Sequence, residues 1–216
     1  MKLFLSESEK SILDKHIAEA EKVTKAQIVL ATVKRSDNYA EIPWLAFALG
    51  ASLTGLMVFL SSVISPVWIS SLAILIPVVA ILGTGSLFAL LTIMSEKFAR
   101  LFLSGSRAET EVRQFGKSLF LNRELFSTSS RTGVLLLISQ FERQVFILPD
   151  TGLTDRLNPE KLTFIISEMI KPLAKRKLCM AMETGLERIV EAILPPDSDW
   201  PEKNELSNEI IEEEGE

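Results

Sequence analysis

Charged and apolar positions are sharply segregated along this chain. From Ile42 to Ser95 there is no Asp, Glu, Lys, Arg or His, an uncharged run of 54 residues. An α-helix crosses the roughly 30 Å hydrocarbon core of a bilayer with about 20 apolar residues, so the run is long enough for two passes. Ser61, Ser62 and Ser65-Pro66 supply a break in its middle, and Trp68 stands where an interfacial aromatic would. The pattern predicts one helix from about Trp44 to Ile64 and a second from about Val67 to Ile93, joined by a tight turn. Backbone polar groups in lipid must be satisfied internally, which a helical hairpin achieves. Two buried helices of a soluble core are the competing reading, but such helices seldom lack charge over so long a stretch.

Outside this run the pattern becomes amphipathic. Ser6-Glu7-Ser8-Glu9 is a capping box, and Ile12, Leu13, Ile17, Ala20 and Val23 follow at helical spacing. Gln27 to Val33 is a short, near-continuous apolar run of the kind found in strands buried on both faces. After the uncharged run, Glu96 to Leu103 is expected to continue the second helix until Gly105-Ser106 breaks it. Arg107 to Phe120 is then an amphipathic helix. Gly133 to Ser139 reads as a buried strand, Gln140-Phe141-Glu142 as a turn, and Arg143 to Leu148 as an antiparallel partner. Asn158-Pro159 opens a helix with an N-cap and a proline at its first position. A last helix is expected from about Leu178 to Leu194.

The predicted order is α-β-(hairpin)-α-β-β-α-α. The fold class is therefore α/β: an αβα sandwich with a small mixed sheet, interrupted by a two-helix transmembrane hairpin. About 40 residues before the hairpin bury too little apolar surface to fold alone. Residues 1–41 and 96–194 are thus expected to form the two parts of one domain around the hairpin of residues 42–95. Residues 195–216 carry nine acidic residues and one lysine, whereas the whole chain carries −5. They are expected to be an acidic, disordered tail.

Lys34 and Arg35 precede the uncharged run and Lys97, Arg100 and Arg107 follow it. The positive-inside rule then predicts a two-pass protein of the inner (cytoplasmic) membrane with both termini cytoplasmic. MKLFLSESEK has too short an apolar stretch for a secretory signal. A single cysteine, Cys179, allows no intrachain disulfide. No ionisable residue lies within the hairpin, which argues against an ion path through it. Ala51-x-x-x-Gly55 and Ala80-x-x-x-Thr84 are small-residue pairs that would let the two helices approach. No aromatic stripe or basic helix suggests nucleic acid.

Four segments carry a resemblance to a known family. They are Leu5 to Lys10 with Ala18 to Val29, Arg131 to Ser139, Glu142 to Gly152, and Gly185 to Val190. In this order they resemble the TPM domain family, and specifically its bacterial membrane subgroup, in which a transmembrane hairpin separates the two halves of the domain. The resemblance implies the αβα sandwich. Some members are described as weak acid phosphatases, some bind calcium through acidic loops at strand ends, and others act in assembly or repair of membrane complexes. Calcium-binding members place acidic residues just before the Gly-Val-Leu strand. Ser130, Arg131 and Thr132 stand there in this chain, so no cofactor is expected and calcium has little to bind it.

The remaining candidate chemistry is sparse. Asp150 and Asp155 are the two carboxylates that would hold a divalent ion, although Asp150-Thr151-Gly152 is also good turn chemistry. Arg131 and Arg143, flanking the strand pair, are the candidate ligand-binding cations for a phosphate-bearing group, or else ordinary ion-pair partners. His16, the only histidine, lacks a marked nucleophile or orienting partner. The reading is a membrane-anchored TPM-like domain acting by protein binding, in assembly or maintenance of a membrane complex. Its expected partners are the membrane and another membrane protein. The alternatives are a weak metal-dependent acid phosphatase and a homo-oligomeric membrane scaffold.

Overall fold

The computed structural model describes residues 5–64, 71–196, 200, 210–213 and 215. Two compact units emerge: residues 1–37 with 108–216, and residues 38–107. The first unit is built on a four-stranded mixed sheet of order β3-β2-β1-β4. Strand β1 (Gln27–Val33) pairs in parallel with β2 (Gly133–Ser139), in a register that sets Gln27 beside Gly133 and Val33 beside Ser139. Strand β3 (Gln144–Pro149) returns antiparallel along β2, with Leu136 opposite Ile147. Strand β4 (Ile211–Glu213) lies parallel on the other side of β1.

Every residue of β1 and β2 is buried. That explains their unbroken apolar sequences, because each strand has a packed layer on both faces. Ile28, Leu30, Val134, Leu136, Ile138 and Ile147 face one core, shared with α1 (Glu7–Thr24), α6 (Pro159–Ala174) and α7 (Leu178–Ile193). Val29, Ala31, Val33, Leu135 and Leu137 face the other, covered by α5 (Gly105–Asn122) through Val112, Leu119 and Phe120. The arrangement is the αβα sandwich.

The helix ends follow their local chemistry. Ser6 accepts the Glu9 N–H and the Glu9 carboxylate accepts the Ser6 N–H, closing the capping box. Lys25 ends α1 in the left-handed region at φ 57°. Asn158 accepts the Lys161 N–H ahead of Pro159, the first residue of α6.

The second unit contains α2 (Glu41–Ile64) and α3 (Ser71–Met94), packed antiparallel with Phe47 against Gly85 and Gly50 against Phe88, both long and apolar enough to cross a membrane. The expected turn at Ser65-Pro66 and Trp68 lies outside the described residues. Of the small residues expected at the seam, Gly55 is less tightly packed than two glycines outside the expected pairs. Gly55 has only Ile81 near it, whereas a Cβ on Gly50 would lie 3.0 Å from Phe88 and a Cβ on Gly85 would lie 2.9 Å from Phe47. Gly50 lies against the Phe88 ring and Gly85 against the Phe47 ring, so they permit the close approach. Thr84 does lie at the seam, its hydroxyl 2.7 Å from that of Thr54.

Two local expectations are corrected. The segment from Glu96 does not continue α3. Ser95 adopts extended backbone and caps a new short helix, α4 (Glu96–Ala99), by accepting the Phe98 N–H. Gly105-Ser106 begins α5 rather than breaking a helix. The expectation of a disordered acidic tail fails at the residues described there. Trp200 is buried in the core, and Ile211–Glu213 is hydrogen-bonded into the sheet. Charge density predicted a solvated end, but these residues find an apolar seat and cationic partners that a composition count does not register.

Candidate functional site

At the carboxyl ends of β1 and β2, three polar residues are drawn out of water. In open sheets with parallel strands this edge is where ligands usually bind. Ser139 is the last residue of β2, Ser36 follows β1, and Glu142 sits in the turn into β3. All three are buried. The Glu142 carboxylate accepts the Ser36 N–H at 2.9 Å through Oε1 and the Ser139 hydroxyl through Oε2. The Ser36 hydroxyl in turn donates to Ser139 Oγ at 3.1 Å. Backbone bonds run alongside, with the Gln140 N–H on the Val33 carbonyl and the Phe141 N–H on the Lys34 carbonyl, each at 3.0 Å. Arg35 stacks over the Phe141 ring, 4.4 Å from its centroid.

This cluster has a serine pair beside a carboxylate, which invites a nucleophilic reading. Its geometry supports a different role. The carboxylate is engaged by a backbone amide and a hydroxyl, and it ties the loop after β1 to the turn after β2. An activated serine needs a base that can take its proton and an open face where substrate can sit. Here the serine at the strand end is fully buried. Sequence reasoning missed this cluster. Ser139 and Glu142 read as strand end and turn, and only the parallel pairing of β1 with β2 brings Ser36 to them from 103 residues away.

The opposite end of the sheet holds Arg131 and Asp150. Arg131 lies in left-handed backbone at φ 55° just before β2. Its Nε is 2.9 Å from Asp150 Oδ2, an ion pair rather than an aligned hydrogen bond. Asp150 is buried and caps the turn at Thr151–Leu153, with Oδ1 accepting the Thr151 N–H at 2.7 Å. Its own N–H donates to the Gly133 carbonyl, and the Gly152 N–H donates to the Arg131 carbonyl. Both carboxylate oxygens are thus committed to holding the loops on either side of the β2–β3 pair. Asp155 lies exposed beyond the turn.

Arg143 is exposed in the β2–β3 turn at φ 55°. Seven residues of β2 separate it from Arg131, and at about 3.3 Å per residue the two ends of that strand are roughly 20 Å apart. The two arginines therefore do not converge on one small ligand. Among the described residues, no three His, Cys, Asp or Glu side chains are grouped to hold a metal. His16 Nδ1 lies 3.5 Å from Glu183 at the exposed side of the α1–α7 pair. Burial pushes the Cys179 thiol above its ordinary pKa, and the negative charges of Glu183 and Glu9 add to the effect. It is the less reactive, protonated form that this environment favours.

The comparisons with known proteins agree with this architecture. The TPM domain profile matches residues 99–192. Among solved structures, the NMR structure of the BA42 protein from the psychrophilic bacterium Bizionia argentinensis superposes with a TM-score of 0.56 at 14% identity. It covers 98% of this chain and 97% of that one, which shows a shared fold. No curated protein matches the chain in sequence.

Proposed function

This chain carries a TPM domain, and from that premise we propose that it is a two-pass membrane protein whose domain works by binding. Its partner is another membrane protein, and the task is assembly or maintenance of a membrane complex. The observation that carries the membrane half is the exposure of α2 and α3. Only 6% of the most apolar window of each helix is buried. A core helix of a soluble protein would be mostly covered. Leu56, Phe59, Ile76 and Val79 instead present more than half of their surface. Apolar surface left in water costs about 25 cal/mol per Å², so side chains arrayed this way on two adjacent helices call for a lipid environment. The flanking lysines and arginines support cytoplasmic termini.

The polar chemistry supports binding over turnover. Glu142 and Asp150, the buried carboxylates nearest the strand ends, are each spent on backbone amides and a neighbouring side chain. Neither is poised beside an open nucleophile. The test is chemical crosslinking in native membranes followed by purification of the chain. A single stoichiometric membrane-protein partner is expected. Recovery of the chain alone, or in the soluble fraction, would overturn the reading. Topology is checked separately with single cysteines at Ser8, Ser65 and Ser207 in a Cys179→Ser background. An impermeant thiol reagent on intact cells should label Ser65→Cys alone.

A further inference from the structure

The outer edge of β1 is occupied by a short segment from the acidic tail, and the fit is specific at every described position. Among the described residues strand β4 pairs over three, Ile211 beside Ala31, Glu212 beside Thr32 and Glu213 beside Val33. Adjacent side chains of a strand point to opposite faces, and the tail uses both. Ile210 packs against the core under α1, α6 and α7, while Ile211 enters the core under α5. Glu212 uses both carboxylate oxygens: Oε1 accepts the Leu5 N–H at 2.9 Å and Oε2 lies 2.8 Å from Lys10 Nζ. The Glu213 carbonyl accepts the Lys34 N–H at 3.1 Å, and its carboxylate lies 3.8 Å from Arg123. Gly215 has φ +82°, and a Cβ there would fall 1.6 Å from the Arg35 carbonyl oxygen, so only glycine fits.

The seat is bounded. Toward the start of β1 the same edge is closed by the Glu21 carboxylate, which accepts the Ile28 N–H at 2.9 Å. On the α5 side it opens into a groove of about 350 Å³ lined by Phe115, Leu119, Asn122, Arg123 and Glu213. We propose that this edge is a peptide-binding slot for an extended protein segment bearing two adjacent apolar residues, two carboxylates and, two positions on, a glycine, and that Ile210 to Glu213 with Gly215 fill it in cis as a displaceable plug. The inference deepens the binding reading above by naming the chemistry of the partner segment.

Strand addition to an open sheet edge gives affinity through the backbone and specificity through alternate side chains. A plug joined by the residues between Trp200 and Ile210 competes at an effective concentration of about millimolar, because a short tether confines it. A free peptide of the same sequence must therefore bind the intact chain far more weakly than a chain whose plug is spoiled.

The experiment uses the full chain in detergent micelles and a fluorescein-labelled peptide with the sequence of residues 207–216. Its binding is read by fluorescence anisotropy to the unaltered chain, Ile211→Asp and Gly215→Val. Two plug variants are used so that a folding defect in one does not remove the test. At least tenfold tighter binding to both variants is expected, abolished by adding Lys10→Glu with Arg123→Glu. A peptide with lysine in place of its two paired glutamates should not bind. Equal affinity for all three chains, or none for any, would overturn the slot. An unaltered chain that elutes as a dimer and becomes monomeric with Gly215→Val would overturn the cis plug in favour of tails exchanged between copies. These outcomes are independent of whether crosslinking in membranes finds a partner, so failure here leaves the membrane-anchored binding reading standing.

Discussion

Glu142→Ala should unfold the sheet's carboxyl edge from within. In the native structure the carboxylate satisfies two buried donors, the Ser36 N–H and the Ser139 hydroxyl. Removing it strands both. An unsatisfied buried donor costs about 1–3 kcal/mol, so two donors set a range of about 2–6 kcal/mol. Water reaching part of the vacated space brings the expected cost to about 3 kcal/mol. For a chain of this size each kcal/mol moves the midpoint by about 2–4 °C, which predicts a Tm lowered by roughly 6–12 °C. Ser139→Ala removes one donor instead and should cost about 1 kcal/mol. The double variant should cost less than the sum, with a coupling of at least about 1 kcal/mol, because the two groups share one network. Thermal unfolding of the full chain in detergent, followed by far-ultraviolet circular dichroism, reads all three. A midpoint lowered by less than about 2 °C for Glu142→Ala, or strict additivity with Ser139→Ala, would refute the claim that this cluster ties β1 to β2.

Three further outcomes are expected. A Cβ on Gly133 would lie 2.2 Å from the Leu125 carbonyl oxygen, whereas one on Gly105 meets nothing within 4 Å. Gly133→Ala should therefore cost about 2–3 kcal/mol because backbone must move, and Gly105→Ala should stay within about 0.5 kcal/mol in the same melt. Ser6→Ala removes the α1 cap and should cost about 1 kcal/mol near neutral pH. The Ser6 hydrogen bonds hold the Glu9 carboxyl below its ordinary value of 4.5. That contribution is present above the unfolded value and lost as pH falls through the lower folded value, so the gap between the two proteins should narrow in melts run below pH 4.5. Finally, Thr54→Cys with Thr84→Cys in a Cys179→Ser background should form a crosslink on mild oxidation, since the native hydroxyls are 2.7 Å apart. Gly85→Leu should lower its yield severalfold by driving Phe47 outward, and an unchanged yield would contradict the described seam.

Local sequence rules held where the interaction is local. The Ser6–Glu9 box, the Asn158-Pro159 helix start and the turn between β2 and β3 depend on residues three or four apart, so they are visible in the chain itself. They failed where a local rule met a competing cap. Glu96 to Leu103 was expected to continue α3, but Ser95 adopts extended backbone and caps a separate short helix by accepting the Phe98 N–H. Among the candidate site residues, ordinary ion pairing was the alternative open to Arg131, and Asp150 is the partner it finds. Nothing in their spacing revealed that the pair locks two loops at the far end of the sheet from Arg143.

The distribution of apolar and charged positions determined most of the element types and the two apolar helices. It also determined that β1 and β2 are covered on both faces, because an unbroken run of apolar residues has no face to give to water. Tertiary structure alone decided which distant groups meet. The parallel register of β1 with β2 carries Ser36 to Ser139 and Glu142, and the open edge of β1 receives Ile211 to Glu213 from a segment whose composition reads as solvated. The reason is physical. Burial and helix period are properties of a residue and its near neighbours, whereas a hydrogen-bond partner or an edge-strand seat exists only once two remote segments have been brought to the same place.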